Sequence, residues 1–312
     1  MKGVFFIVGP TAAGKSEIAA EVAFRCGAEV VNADAFQIYQ GLDLLTAKPN
    51  APTLAKARHH LIGTLPLSEE WDAAKFRSAA LRAIAEIHGR DKPVIVAGGS
   101  GLYIKALTHG LASLPAPNAE LREALNKWSV DQLYSRLRVL DPETAATIDR
   151  KNQRRLARAL EICFLTGKAA SIQRTQWKNE ETVAVTAGPT NAIASVFVFR
   201  DRADLFEQID RRVHAIFRRG VVDEVRALGK IGVTAAKTLG LRQIQELIAG
   251  QVSEPDAIAS IQQATRQYAK RQLTWFRRQT NFEPLNLSLQ SLDEAVESIS
   301  RKARSAFAQK NV

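Results

Sequence analysis

Cysteine is nearly absent from this chain. Cys26 and Cys163 are the only two in 312 residues, and neither has a Cys-x-x-Cys partner or a nearby histidine. That count and spacing exclude a disulfide framework and a cysteine–histidine zinc site. Long apolar runs are missing as well. Val4–Val8 is far too short to cross a bilayer, and Gly9-Pro10-Thr11 ends it with no signal-cleavage pattern. A soluble, cytoplasmic protein with no membrane partner is expected. Acidic residues are in deficit: 32 Asp and Glu against 43 Lys and Arg leave a net charge of +11. This balance favours an anionic partner, nucleic acid or a phosphorylated substrate, although an ordinary basic enzyme could carry it too. There is no internal repeat, and an apolar content of 46% argues against wholesale disorder.

What is present alternates between two periodicities. Val4–Val8 and Pro93–Ala97 are short apolar runs that predict buried strands, and Glu29–Asn32 reads as a strand between them. Between them lie helix-length stretches, Ser16–Arg25 and Asp72–His88. Strands alternating with helices imply a parallel, doubly wound α/β sheet, whose ligands bind beyond the carboxyl ends of the strands. The pattern changes at Leu114-Pro115-Ala116-Pro117, after which the chain reads as helical to about Arg174, then weakly polar over Asn179–Thr190. Ser195–Arg200 reads as a strand again, and two long helices, Leu205–Leu228 and Asp256–Arg278, close the chain. The expected organisation is a P-loop NTPase-like parallel-sheet core over 1–117 and 191–312, interrupted by a helical insertion domain over 118–190. The tail after Asn281 carries no clear signal and is expected to lie on the surface.

Gly9-Pro10-Thr11-Ala12-Ala13-Gly14-Lys15-Ser16 fits the Gly-x-x-x-x-Gly-Lys-[Ser/Thr] phosphate loop, with an apolar strand before it and a helix after it. Its glycines let backbone N–H groups converge on phosphate oxygens, and the helix N-terminus adds its positive end. Lys15 supplies a point charge and Ser16 can hold Mg²⁺. The loop specifies a polyphosphate without saying which, so at this point a small-molecule kinase fits equally well.

Further motifs follow in order. Asn32-Ala33-Asp34-Ala35-Phe36-Gln37-Ile38-Tyr39-Gln40-Gly41 and Thr46-Ala47-Lys48-Pro49 come after the second strand. Gly98-Gly99-Ser100-Gly101-Leu102-Tyr103 comes after the third, and Thr265–Arg277 (Thr-Arg-Gln-Tyr-Ala-Lys-Arg-Gln-Leu-Thr-Trp-Phe-Arg) stands near the end. With the phosphate loop, this ordered set resembles the signature of tRNA dimethylallyltransferases, from about residue 4 to residue 279. The resemblance implies transfer of the dimethylallyl group of dimethylallyl diphosphate to a tRNA adenine. The acceptor is the exocyclic amine of the adenine immediately 3′ of the anticodon, in tRNAs reading codons that begin with U. It further implies an anticodon stem-loop partner, Mg²⁺ and a monomer.

By the same resemblance Asp34 takes the proton of the amine, Gln37 helps recognise the base within Asp34-Ala35-Phe36-Gln37, and Ser100 places a hydroxyl at the reacting centre. Gly9 to Ser16 hold the pyrophosphate and Arg212 supports it. Arg122, the stretch from Arg154 through Arg155 to Arg158, and the stretch from Lys237 through Arg242 to Gln243 contact tRNA. Four positions depart from the family pattern: Ala35 for serine, Ser100 for threonine, Leu45 for glycine and Leu241 for tyrosine. The residues alone support the chemistry. A phosphate loop with Lys15, Mg²⁺ and Arg212 stabilises a departing pyrophosphate, and a carboxylate beside a weakly nucleophilic amine is useful as a base. Asp34 could equally cap a turn or bind Mg²⁺, and Ser100 could cap the next helix. Arg150, Lys151, Arg154, Arg155 and Arg158 crowd one segment, and Arg266, Lys270 and Arg277 share one helix face. These are candidate RNA surfaces or solvated faces. The alternatives are a free-adenylate isopentenyltransferase, an ATP-using kinase, and an RNA-binding module with no need of a base at Asp34.

Overall fold

The computed structural model describes residues 3–111, 114–172 and 194–308. Their contacts divide the chain into one unit of 1–108 with 185–312 and a second of 109–184.

The first unit is built on a six-stranded, wholly parallel sheet. Its strands are β1 (Val4–Val8), β2 (Glu29–Asn32), β3 (His59–His60), β4 (Val94–Gly98), β5 (Ser195–Phe199) and β6 (Glu283–Asn286), in the spatial order β3-β2-β4-β1-β5-β6. The α/β reading therefore holds. The central strands are continuously apolar because both faces are covered. Val4, Phe6 and Val8 of β1 point into one core layer, and Phe5 and Ile7 into the opposite one. The first layer is closed by Ala73–His88, whose Phe76, Ala80, Ala83, Ile84 and Ile87 recur at helical spacing on one buried face. Asp72 starts that helix by accepting the N–H groups of Ala74 and Lys75 at 2.9 Å each. The other layer is closed by α1 (Lys15–Cys26) and by the last helix, Leu292–Ala308.

Two expectations need correction. The tail after Asn281 is part of the core unit. Glu283–Asn286 pairs in parallel with β5, and the final helix buries Ala295, Val296, Ile299 and Ala303 beside Ile18 and Val22 of α1. Full burial of an aliphatic side chain contributes about 1.5–3 kcal/mol, so this helix is an integral support of the phosphate-loop helix. The long helix expected over Leu205–Leu228 is instead two, Arg202–Arg218 and Val221–Arg226. Gly220 separates them at φ 88, a left-handed conformation that stops the first helix. The longest helix, Glu254–Arg277, forms much as expected, capped by Ser253.

The second unit has no strand among its described residues, and its helices include Ala119–Asn126, Val130–Leu140, Pro142–Thr147 and Gln153–Thr166. Leu125, Leu133, Leu137, Leu156, Leu160 and Ile162 form its core. Within that core Glu161 is 0% exposed. It accepts from Asn118 N at 2.7 Å, Arg122 Nε at 2.9 Å and Arg158 Nη1 at 2.6 Å. Burial pushes this carboxyl up, and those three donors overcome it and hold it below the usual range. The polar stretch Asn179–Thr190 lies outside the described residues.

Candidate active site

Four chain segments leave the carboxyl ends of neighbouring strands and meet: Gly9–Gly14 after β1, Ala33–Gln37 after β2, Gly99–Gly101 after β4 and Arg200 after β5. This is where a doubly wound sheet binds ligand. Together they surround a cavity of about 360 Å³ whose lining includes Lys15, Ser16, Asp34, Lys48, Arg200, Arg212, Arg219 and Gln272. Five of those eight side chains are cationic, which suits a multiply charged anion.

The phosphate loop ends in α1, so that helix's N-terminus opens onto the cavity. Ala12 sits at φ 62, a strained setting for a residue with a Cβ and one that occurs chiefly at functional turns. Lys15 donates from Nζ to Pro10 O at 2.6 Å. Burial lowers its ammonium to about 8; Asp34 opposes that shift and Arg212 adds to it. Arg212 donates to Thr11 Oγ1 at 2.8 Å, and burial lowers its pKa too. Arg200, which the sequence reading passed over, donates from Nε to Ala13 O at 3.2 Å and is held by Asp204 at 2.8 Å.

Asp34 Oδ1 accepts from Phe36 N at 2.9 Å and Gln37 N at 3.3 Å, so it does cap the next turn. Oδ2 accepts no hydrogen bond among the described residues and belongs to a residue that lines the cavity. Capping and proton acceptance are therefore compatible, one oxygen for each. Ser100 Oγ accepts from Ala35 N at 3.1 Å. That bond uses backbone, so it does not depend on the side chain at position 35. Tyr268 lies beside this pair: burial and the nearby Asp34 raise its phenol, while a hydrogen bond with Ser100 opposes them.

Gln37 is 9% exposed and spends its amide on the carbonyls of Thr46 and Ala47, at 3.1 and 3.0 Å. Glu224 receives the next N–H groups along, Leu44 at 2.7 Å and Leu45 at 2.9 Å. Together they shape the wall that carries Lys48, whose Nζ donates to Tyr39 O and to Asp43, each at 2.5 Å. Leu45 and Leu241, two of the departures from the family pattern, pack in one core cluster.

The remaining predicted residues are not all drawn to the cavity. Arg122 donates to Glu161 through Nε and stays 40% exposed, and Arg158 divides its donors between Glu161 and Pro115 O, the latter at 2.8 Å. Arg266 holds Asp210 at 2.5–2.6 Å. By contrast Arg154, Arg155 and Lys270 have exposed side chains, as do Lys237 and Arg242, the last paired loosely with Glu246 at 3.6 Å. Gln243 is half-buried and Phe36 packs at the edge of a core cluster. Phe276 is a core residue, and Trp275, partly buried, packs against the same cluster.

The cavity also bears on Mg²⁺. Among the described residues no group of three or more His, Cys, Asp or Glu side chains could hold a metal. Mg²⁺ commonly binds through one or two protein oxygens plus substrate phosphates and water. Ser16 at this cavity fits that mode and no all-protein cage.

Comparison with known proteins adds independent findings. The model of the IPP transferase family matches residues 37–279, a stretch that begins after the phosphate loop and Asp34. A tRNA dimethylallyltransferase of Akkermansia muciniphila is 40% identical over 274 residues, covering 88% of this chain and 90% of that one. A tRNA dimethylallyltransferase 1 of Citrifermentans bemidjiense is 39% identical, covering 88% of each. Among solved structures, the tRNA isopentenylpyrophosphate transferase of Bacillus halodurans superposes with a TM-score of 0.70 at 29% identity, over 100% of both chains. A eukaryotic dimethylallyltransferase described as acting on tRNA gives 0.78 at 25% identity, over 100% of this chain and 81% of its own.

Proposed function

This chain belongs to the IPP transferase family, and on that premise we propose that it is a tRNA dimethylallyltransferase using dimethylallyl diphosphate as donor. The acceptor is the exocyclic amine of the adenine immediately 3′ of the anticodon, in tRNAs reading codons that begin with U. One observation carries the reading: Asp34, a carboxylate with an oxygen to spare, lines the same cavity as the phosphate loop and its cations. A phosphate loop with a base beside it suits transfer from a polyphosphate to any acceptor that loses a proton, a kinase's hydroxyl included. Membership of the IPP transferase family is what favours a prenyl group and an amine.

The chemistry follows from these placements. The bond between the allylic carbon and the diphosphate oxygen breaks, and its electron pair leaves with pyrophosphate. Lys15, Arg212 and the N-terminus of α1 stabilise that charge from fixed positions. Mg²⁺, held by Ser16 and the donor's oxygens, would add further positive charge there. The adenine nitrogen forms the new bond to carbon and gives its proton to Asp34 Oδ2. Ser100, which accepts from Ala35 N, and Tyr268 stand beside Asp34 without lining the cavity themselves. The base must leave its stack to enter the cavity, so a single-stranded loop is the substrate to expect. To test this, the protein is given labelled dimethylallyl diphosphate with unmodified tRNA or with AMP. Label in tRNA alone is expected. Label in AMP alone would make it a free-nucleotide enzyme, and label in neither would refute the reading.

The basic residues divide by what they already bind. Arg154 and Lys270 are exposed and are expected to meet RNA phosphates, so neutralising either should flatten the log–log salt dependence of tRNA binding by roughly 0.7–0.9. Arg158 and Arg266 hold Glu161 and Asp210, so their loss should lower thermal stability and leave the salt slope alone. A salt series on the four single variants checks both statements. Unchanged slopes for Arg154→Ala and Lys270→Ala would refute the RNA path.

A further inference from the structure

We infer that Gln272 is a positioning residue of the donor site, setting the phosphate loop against the glycine turn that carries Ser100. This deepens the proposed function and rests on it for the identity of the donor. Gln272 lies on Glu254–Arg277, is 6% exposed, and lines the cavity. Its Oε1 accepts from Thr11 N at 2.8 Å and its Nε2 donates to Gly99 O at 2.9 Å. One planar amide thus joins the loop after β1 to the loop after β4. Its orientation is dictated by its partners, since a flipped amide would put donor against donor and acceptor against acceptor.

The surrounding residues make room for this clip. A Cβ on Gly99 would stand 2.3 Å from Gln272 Nε2, and one on Gly101 would stand 2.5 Å from the Trp275 ring. Both glycines therefore admit the same helix, through its residues three apart, into the turn. Thr11 is consequently tied at both ends, its N–H to Gln272 and its Oγ1 to Arg212. Gln272 reaches no reacting atom by this geometry. It decides where the loop's N–H groups and Lys15 stand relative to Ser100 and Asp34. Such registration matters because a misplacement of about 1 Å can cost roughly 10²-fold in rate.

The test uses the full chain and two variants. Gln272→Met keeps the volume and loses both bonds. Gln272→Glu keeps an acceptor for Thr11 N and loses the donor for Gly99 O. Inorganic pyrophosphate binding is measured by calorimetry, donor KM and kcat by single-substrate series, tRNA affinity by titration, and folding by thermal melts. Leaving a buried group unpaired typically weakens an interaction about tenfold. On that scale Gln272→Met should weaken pyrophosphate binding and raise donor KM about tenfold each, with tRNA affinity unchanged. Gln272→Glu loses the Gly99 bond and adds a negative charge to the cavity lining, so it should weaken pyrophosphate binding at least as much as Gln272→Met, with tRNA affinity again unchanged. Gln272 would have no positioning role if a variant melts lower yet keeps wild-type pyrophosphate affinity and donor KM. Should Gln272→Met fail to fold, the same comparison on Gln272→Glu decides. Pyrophosphate binding by an otherwise inactive wild type would sink the prenyl-transfer reading while leaving the clip intact.

Discussion

Asp34→Asn and Asp34→Ala are both expected to lose roughly 10²–10⁴ in the single-turnover rate of prenyl transfer. The two should part company in stability. Asp34 Oδ1 accepts from Phe36 N and Gln37 N, and an asparagine carbonyl can take the same bonds. Alanine cannot, and loss of such a cap costs about 0.5–2 kcal/mol. Asn should therefore melt near the wild type and Ala below it. Affinity for tRNA should stay within a few fold in both, because a general base acts on the transition state more than on the bound ground state. Near-normal turnover by Asp34→Asn would show that the carboxylate is only a turn cap and that the proton leaves by another route.

The parts of this molecule that the sequence made legible are those with local signals. The phosphate loop, the strands of continuous apolar residues and the capped helices each depend on neighbours a few positions away. Asp34 was legible as a residue just past a strand end, and its double duty was not, because hydrogen-bond partners have no spacing signature. The last strand escaped notice for the opposite reason. Glu283-Pro284-Leu285-Asn286 contains a proline and lies at the sheet edge, where an absent N–H is tolerated, and only its tertiary pairing with β5 makes it a strand. Arg158 and Glu161 stand three apart on one helix, which is ordinary surface spacing. That Glu161 is buried, and so claims two arginines expected to face RNA, is a property of the packed unit. Gln272 carries no local signal of its role, because its partners Thr11 and Gly99 lie 261 and 173 positions away.

Lys15→Ala is expected to weaken binding of dimethylallyl diphosphate by roughly 10²-fold, the order of one charge-assisted hydrogen bond in a partly desolvated site, and to leave tRNA affinity nearly unchanged. The more specific expectation concerns pH. Burial brings the Lys15 ammonium down to about 8, with Asp34 opposing and Arg212 adding to the fall. A bound diphosphate favours the charged ammonium, so its pKa must be higher in the complex than in the free protein. The sign follows by linkage: donor affinity is complete below about 8 and declines as pH rises beyond it, by up to tenfold per pH unit, until the pKa of the complex is reached. The phosphate's own second ionisation, near a pKa of about 6, falls below this window and does not mimic it. Arginine stays charged throughout, so Lys15→Arg should bind more weakly at pH 7 from its different shape, yet show no decline between pH 8 and 10. Calorimetric titrations of the donor into wild type, Lys15→Arg and Lys15→Ala across that range make the comparison. A wild-type affinity that is flat through pH 10, or a decline shared equally by Lys15→Arg, would mean that Lys15 does not hold the diphosphate.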